Sequence, residues 1–169
     1  ARIPKRPGER IKTDRRDALN LASLARAGEL VSVVIPDPRD EAIRDLSRTR
    51  VDAVRARLKA RQQLNALLLR HGRRYEGKTR WTAAHERHLA TITFEHPAQD
   101  IAFAEYRQAV SESGARVGRL EQCLAQEVER WRMQPLVRAL MTLRGLDLVS
   151  ATTIAAELGD LRRFAHPRE

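Results

Sequence analysis

Residues 39–70 read RDEAIRDLSRTRVDAVRARLKARQQLNALLLR, thirty-two residues without a glycine or a proline. Apolar side chains recur there at Ile43, Leu46, Val54, Leu58, Leu64 and Leu68, which is helical spacing, with Arg50 and Arg61 on or beside the same stripe. From Arg44 to Arg74 there are ten cations, nine Arg and one Lys, against two acids, Asp45 and Asp52. So few acids within the run mean that intrahelical pairing cannot neutralise the cations, and the run predicts a long helix that grips phosphate. Arg50, Arg55, Arg57, Lys59, Arg61, Arg70, Arg73 and Arg74 are its candidate contacts. The plainer reading is a solvated charged face.

Downstream, Gly72 and Gly77 bracket a break, a short helix is expected over 82–93, and His96-Pro97 ends it. A second long helix then runs to about Arg132. Its apolar residues Phe103, Tyr106, Val110, Val117, Leu120, Leu124 and Trp131, with Ser113 and Glu127 in the gaps, step by three and four as in a heptad seam. Its charges nearly cancel, six acids against five Arg between Asp100 and Met133. Two such helices predict a long antiparallel coiled-coil arm over 39–134. After Pro135 the pattern changes. Residues 136–140 and 150–158 read as two short helices about Gly145, a helix-hairpin-helix in which Arg144 and Gly145 either meet a phosphate or form a purely structural turn. Asp147 stands where a second small residue is expected, and there it either repels phosphate or caps the helix.

Upstream, residues 1–12 are Pro- and Arg-rich, a helix begins at Thr13 or Asp14 and stops at Gly28, and residues 30–35 read as a β-branched strand ended by Pro36-Asp37-Pro38. Helix then strand suggests the tail of an α/β domain, and the whole is expected to be mainly α. Within Lys12-Thr13-Asp14-Arg15-Arg16-Asp17-Ala18, the carboxylates of Asp14 and Asp17 lie three apart on one helix face. They could share a Mg2+ ion, or Asp14 could be the N-cap with Asp17 as its partner, and spacing alone favours the cap.

Composition narrows the partners. The 169-residue chain carries 32 Lys and Arg against 22 Asp and Glu, a net charge of +10. That excess calls for a polyanion. An anionic membrane is the weaker choice, because no apolar run nears the roughly 20 residues that span a bilayer, and the opening Ala-Arg-Ile-Pro-Lys-Arg is not a secretory leader. Cys123 is the sole cysteine, which excludes an intrachain disulfide, fits a reducing cytoplasm, and reads as a buried spectator beside the seam. His85 and His88 lack a third ligand at suitable spacing and read as a solvated or RNA-facing pair. Trp81, Phe103, Tyr106 and Trp131 read as core rather than as a stacking platform.

Taken together, several stretches resemble one family. Lys12–Ala18, Leu24-Ala25-Arg26-Ala27-Gly28-Glu29-Leu30 and Pro36-Asp37-Pro38 are similar to the DEDD-type (RuvC-like) insertion-sequence transposases. So are Asn65-Ala66-Leu67-Leu68-Leu69-Arg70-His71-Gly72, Trp81-Thr82-Ala83-Ala84-His85, Gln99-Asp100-Ile101-Ala102-Phe103, Ala155-Ala156-Glu157-Leu158-Gly159-Asp160 and Arg163-Phe164-Ala165-His166-Pro167. The resemblance implies an RNase H-like catalytic domain whose last piece is 1–38, a coiled-coil arm over 39–134, and the start of a C-terminal transposase domain over 135–169. It also implies that Asp14 and Asp17 are the final Asp-x-x-Asp pair of a Mg2+ site, flanked by Arg15 and Arg16 as nucleic-acid contacts. That outweighs the capping reading. The first Asp and the Glu of that site would lie before Ala1, and the family's serine nucleophile after Glu169, so this chain is expected to be an internal segment, inactive alone, in which Ser150 is no substitute nucleophile. DNA, a structured guide RNA and further copies of the chain are the implied partners. The competing readings are a non-catalytic RNA- or DNA-binding module, such as a decayed transposase copy, and a structural coiled coil with incidental charge.

Overall fold

The structure is a computed structural model. It describes residues 13–30, 35 and 37–161. Within them the regular elements are α1 (Asp14–Ala27), α2 (Pro38–Arg70), α3 (Ala83–Ala90), α4 (Pro97–Glu129), α5 (Gln134–Met141) and α6 (Leu148–Leu158). The chain is therefore mainly helical. Most of the strand expected over 30–35, the Pro-rich residues 1–12 and the Arg163–Pro167 stretch lie outside the described residues. The chain divides into two compact units, Ala1–Pro36 and Asp37–Glu169.

In the first unit, α1 starts where Thr13, in extended backbone, turns its Oγ1 to accept the Arg16 N–H at 3.4 Å. It stops at Gly28, whose φ of +69° allows the Glu29 N–H to reach back to the Leu24 carbonyl at 3.0 Å. No residue of α1 is buried, and Leu19 is 61% exposed.

The second unit is built on α2 and α4, each of 33 residues and so roughly 50 Å long. Both open with proline at the first helical position, which lacks the N–H that would go unused there. Each is capped by the residue before it. An Asp37 carboxylate oxygen accepts the Arg39 N–H at 2.8 Å, and His96 Nδ1 accepts that of Ala98 at 3.2 Å. The helices run antiparallel: Asp40 meets Trp131 and Arg132, Arg50 meets Glu121, and Leu64 clusters with Phe103.

Two hydrophobic cores sit at opposite ends of this hairpin. At the base, Ile43, Leu124, Val128 and Trp131 pack with Val137 of α5 and Ala151, Ala155 and Ala156 of α6. At the tip, Leu64, Leu67 and Leu68 of α2, Leu89 of α3 and Phe103 of α4 form the second, edged by Trp81, Ile92, Phe94, Tyr106 and Val110. Between them the buried seam is mostly small, with Ala53 and Ala60 on α2 and Val117 on α4.

The seam departs from the expected stripe in two places. Leu58 is 56% exposed, its place inside taken by Ala53 and Ala60. On α4, Val128 is buried and Glu127 exposed, because the stripe of a nearly straight helix drifts by about 20° per heptad against a strict seven-residue repeat. Cys123 is exposed rather than buried, on the outer face beside Leu124. α4 also ends at Glu129, three residues short of the expected limit.

α6 is locked to α2 by polar contacts as well as packing. Arg44 Nε donates to the Ala156 carbonyl at 2.9 Å, Ser47 and Thr153 share a hydroxyl hydrogen bond of 2.9 Å, and the Arg48 guanidinium forks onto Glu157 at 2.8 and 2.9 Å. At the foot of the hairpin the buried Asp40 carboxylate accepts from Trp131 Nε1 at 2.8 Å and from the Arg132 guanidinium. Burial pushes the Asp40 carboxyl up, but those two hydrogen bonds and the charges of Arg132 and Arg44 outweigh it, and its pKa lies below the ordinary value.

Candidate nucleic-acid interface

The acid pair of α1 is exposed in the first turn. Asp14 was the sequence candidate for the cap, yet Thr13 takes that role, so neither Asp14 nor Asp17 is occupied in capping. Side chains three apart share a helix face, and two carboxylates there suit part of the oxygen shell of a hard divalent cation. Among the described residues no group of three or more His, Cys, Asp or Glu converges, so the pair fits a share of such a shell and not a whole one. Arg15 and Arg16 lie exposed between the two acids.

Folding sorts the arm's ten cations into two sets. Arg44, Arg48, Arg50 and Arg55 are ion-paired, with Glu41 and Glu157, Glu157, Glu121 and Asp52 respectively. Glu121 and Glu157 come from α4 and α6, so counting acids within the run understated the neutralisation near the base. Arg57, Lys59, Arg61, Arg70, Arg73 and Arg74 have no carboxylate partner within 4.0 Å among the described residues. Two of these are held by other means. Arg61 lies 4.6 Å over the Trp81 ring with its Nε buried and unbonded, and burial together with the Arg57 charge lowers its pKa. Arg73 donates to the Thr93 carbonyl at 3.1 Å and lies 5.9 Å over Phe94. Of the other four, Lys59, Arg70 and Arg74 are exposed and Arg57 is half-buried.

Around the tip the rings assemble on His85, which is buried rather than solvated as its spacing suggested. Tyr75 and Trp81 meet it edge to face at 4.7 and 5.1 Å between centroids, and Tyr75 also meets His88 at 5.1 Å. Trp81 has φ +65°, a conformation a bulky residue adopts only when its surroundings hold it. A Cβ on Gly77 would collide with the Tyr75 ring, so glycine is what lets that ring lie across the loop. Sequence reading gave no sign of this cluster, whose members come from the 71–82 loop and α3 and have no common period.

In the α5–α6 turn, Gly145 has φ +93° and Arg144 is exposed. Asp147 caps α6, accepting the Ser150 N–H at 2.8 Å. That hydrogen bond holds its carboxyl below the ordinary value. The carboxylate thus occupies the very N–H that would otherwise face a phosphate at the start of this helix.

No described helix is long and apolar enough to cross a membrane. No solved structure matches the chain. A family model of DEDD transposases, described as "Transposase", matches residues 2–72. The chain is 46% identical over 99% of its length to "Putative transposase y4qE" of Sinorhizobium fredii, of which it covers 40%. It is 30% identical over 98% of its length to the "Transposase for insertion sequence element IS1533" of Leptospira borgpetersenii, of which it covers 50%. The chain thus spans half or less of the length of these curated relatives. The family match takes in α1 with its acid pair and the whole basic helix, and over that stretch the chain is similar to the DEDD transposases of the IS110 type.

Proposed function

We propose that this chain forms the nucleic-acid-gripping arm, and a share of the catalytic metal site, of an enzyme that moves DNA by Mg2+-dependent strand exchange. The observation that carries the reading is the set of unpaired cations on the outer part of α2 and in the loop after it: Arg57, Lys59, Arg70 and Arg74 have no carboxylate partner among the described residues. Guanidinium and ammonium groups without carboxylate partners are suited to a sugar-phosphate backbone, and they bind it by releasing counterions.

On this reading Asp14 and Asp17 would contribute two carboxylates to the metal, with Arg15 and Arg16 steadying the phosphate beside them. Bound Mg2+ supplies Lewis-acid stabilisation of charge on phosphoryl oxygens. The exposure of Leu19 and Leu21 on α1, none of whose residues is fully buried, supports its belonging to a larger packed domain, since such a helix gains little from its own fold. The residues 1–38, 39–134 and 135–169 would then be the end of an RNase H-like domain, a coiled-coil arm and the opening of a transposase domain. A structured guide RNA and a second copy of the chain are the further partners. Arg50 and Arg55, already engaged with Glu121 and Asp52, contribute less to the grip than the four outer cations. The role of Arg144 and Gly145 in that grip is reduced to the exposed Arg144 side chain, because Asp147 occupies the helix start.

The test is binding of the 169-residue chain to duplex DNA and to a structured RNA across a salt series. If the outer cations grip phosphates, log affinity falls with log salt at a slope on the order of −4 for four contacts. Negligible binding at low salt, or a flat response, overturns the reading and leaves a structural helical hairpin. In the full-length transposase, Asp14→Asn with Asp17→Asn should abolish strand exchange, and undiminished activity would remove the pair from the metal site.

A further inference from the structure

The geometry points to a pocket at the tip of the arm that receives one unpaired nucleotide, its base against the Tyr75 and His88 rings and its phosphate on Arg74 and Arg80. The inference rests on the arm's binding nucleic acid, and it adds what part of the polymer is recognised and where.

A cleft of about 250 Å3 opens between the end of α2, the 73–80 loop and α3. Arg73, Arg74, Arg80, Tyr75, His85 and His88 line it, and no carboxylate does. It is smaller than the roughly 300–1,000 Å3 of sites for drug-sized ligands, a size that suits a single planar base with its phosphate. Leu68 and Leu69 give it an apolar side. Unpaired bases are held in this way elsewhere, on aromatic and guanidinium planes with a few polar groups reading the edge.

Two details separate this cleft from an ordinary basic surface. His85 is 99% buried, lines the cleft, and has its Nδ1 enclosed without a hydrogen-bond partner. Buried polar atoms are nearly always paired, so an orphan beside a cavity calls for a ligand group. Burial first, with the nearby His88 and Arg80 charges, lowers its pKa and so favours the neutral ring, which can give or accept one hydrogen bond to a base edge. The second detail is that Arg74 and Arg80 have no ion-pair or hydrogen-bond partner among the described residues, whereas Arg73 is tied to Thr93. Two guanidinium groups are therefore available for the phosphate.

The experiment compares hairpins of RNA and of DNA, each fully paired or carrying a single unpaired 2-aminopurine, by fluorescence anisotropy and by the emission of that base. The bulged forms should bind about tenfold tighter, the scale of one base stacked on an aromatic ring, and their emission should change on binding. Tyr75→Ala should erase the preference while affinity for the paired hairpins stays within about twofold. Arg80→Gln, at an exposed position, serves as the second variant and should reduce the preference without disturbing the fold. Whichever polymer shows the larger preference names the source of the nucleotide. Equal affinity for bulged and paired hairpins overturns the pocket while leaving the arm's grip intact, and failure to bind any hairpin overturns both. Competition by inorganic phosphate as strong as by a nucleoside monophosphate would show that the base contributes nothing, and would also overturn it.

Discussion

The two ends of the helical hairpin are built alike in their apolar cores and unlike in their charge. The outer part, residues 57–116, holds eleven Lys and Arg against six Asp and Glu. The base, residues 37–56 and 117–161, holds ten against eleven. At the base the guanidinium groups of Arg44, Arg48, Arg50 and Arg132 join helices by meeting Glu157, Glu121 and Asp40. Toward the tip the same residue type faces solvent, or lies over Trp81 and Phe94. One basic helix thus does two jobs along its length, and arginine content alone does not say which job a given residue has.

The sharpest break in this comparison is a pair of matched variants. Replacing Arg57, Lys59, Arg70 and Arg74 together by Gln should weaken DNA binding at low salt by about a hundredfold and reduce the salt slope by about four, with little change in melting temperature. Replacing Arg44, Arg48, Arg50 and Arg132 by Gln should do the reverse, lowering the melting temperature and leaving the affinity of the folded protein near wild type. Equal effects on binding would dissolve the distinction between the ends.

Next in size are the cores. Leu124 and Leu64 are both essentially inaccessible to solvent, and Leu→Ala at either should cost about 2–5 kcal/mol in denaturant unfolding. Leu64→Ala should also loosen nucleic-acid binding, whereas Leu124→Ala should not do so under conditions where the protein stays folded. A smaller effect is expected at Asp40. Asp40→Ala leaves the buried Trp131 N–H without an acceptor, at about 1–3 kcal/mol, while Asp40→Asn keeps an acceptor and costs less. Chemical denaturation of the two variants checks the order.

The smallest effect is one of pH. The folded state holds the His85 pKa below its ordinary 6.5. Below 6.5 the unfolded chain takes up a proton that the folded one refuses, so stability should fall with falling pH until the folded group protonates too. His85→Gln should flatten that slope. The depressed Asp40 carboxyl contributes stability that persists to far lower pH, being lost only as pH falls below 3.8 and through its folded value. A melting temperature constant from neutral to mildly acidic pH would remove His85 from this account.

Much of the fold was legible because it depends on local rules. The glycine at 28, the His96-Pro97 boundary and the three-four spacing on α4 are read from neighbours in sequence, and the structure places helix ends and most of the seam accordingly. What could not be read depends on partners far along the chain. Glu121 and Glu157 neutralise arginines 71 and 109 residues away. Ala53 and Ala60 displace Leu58 from the inside because close helix approach favours a small side chain there. Thr13 rather than Asp14 became the cap, since one step of register decides which oxygen reaches the Arg16 N–H. The acid pair and the outer cations of the candidate site were visible as residues. The cleft around His85 was not, because its rings are gathered by a loop whose course hinges on Trp81 and Gly77.

Equal helices of 33 residues give the molecule leverage, since a tilt of about 5° at one end of a rigid rod of roughly 50 Å sweeps the other by about 4 Å. That displacement is comparable to the rise between successive bases in a duplex, 3.4 Å per strand. Slight repacking of α5 and α6 could therefore shift the reach of the far end by one base step while every contact out there stayed intact.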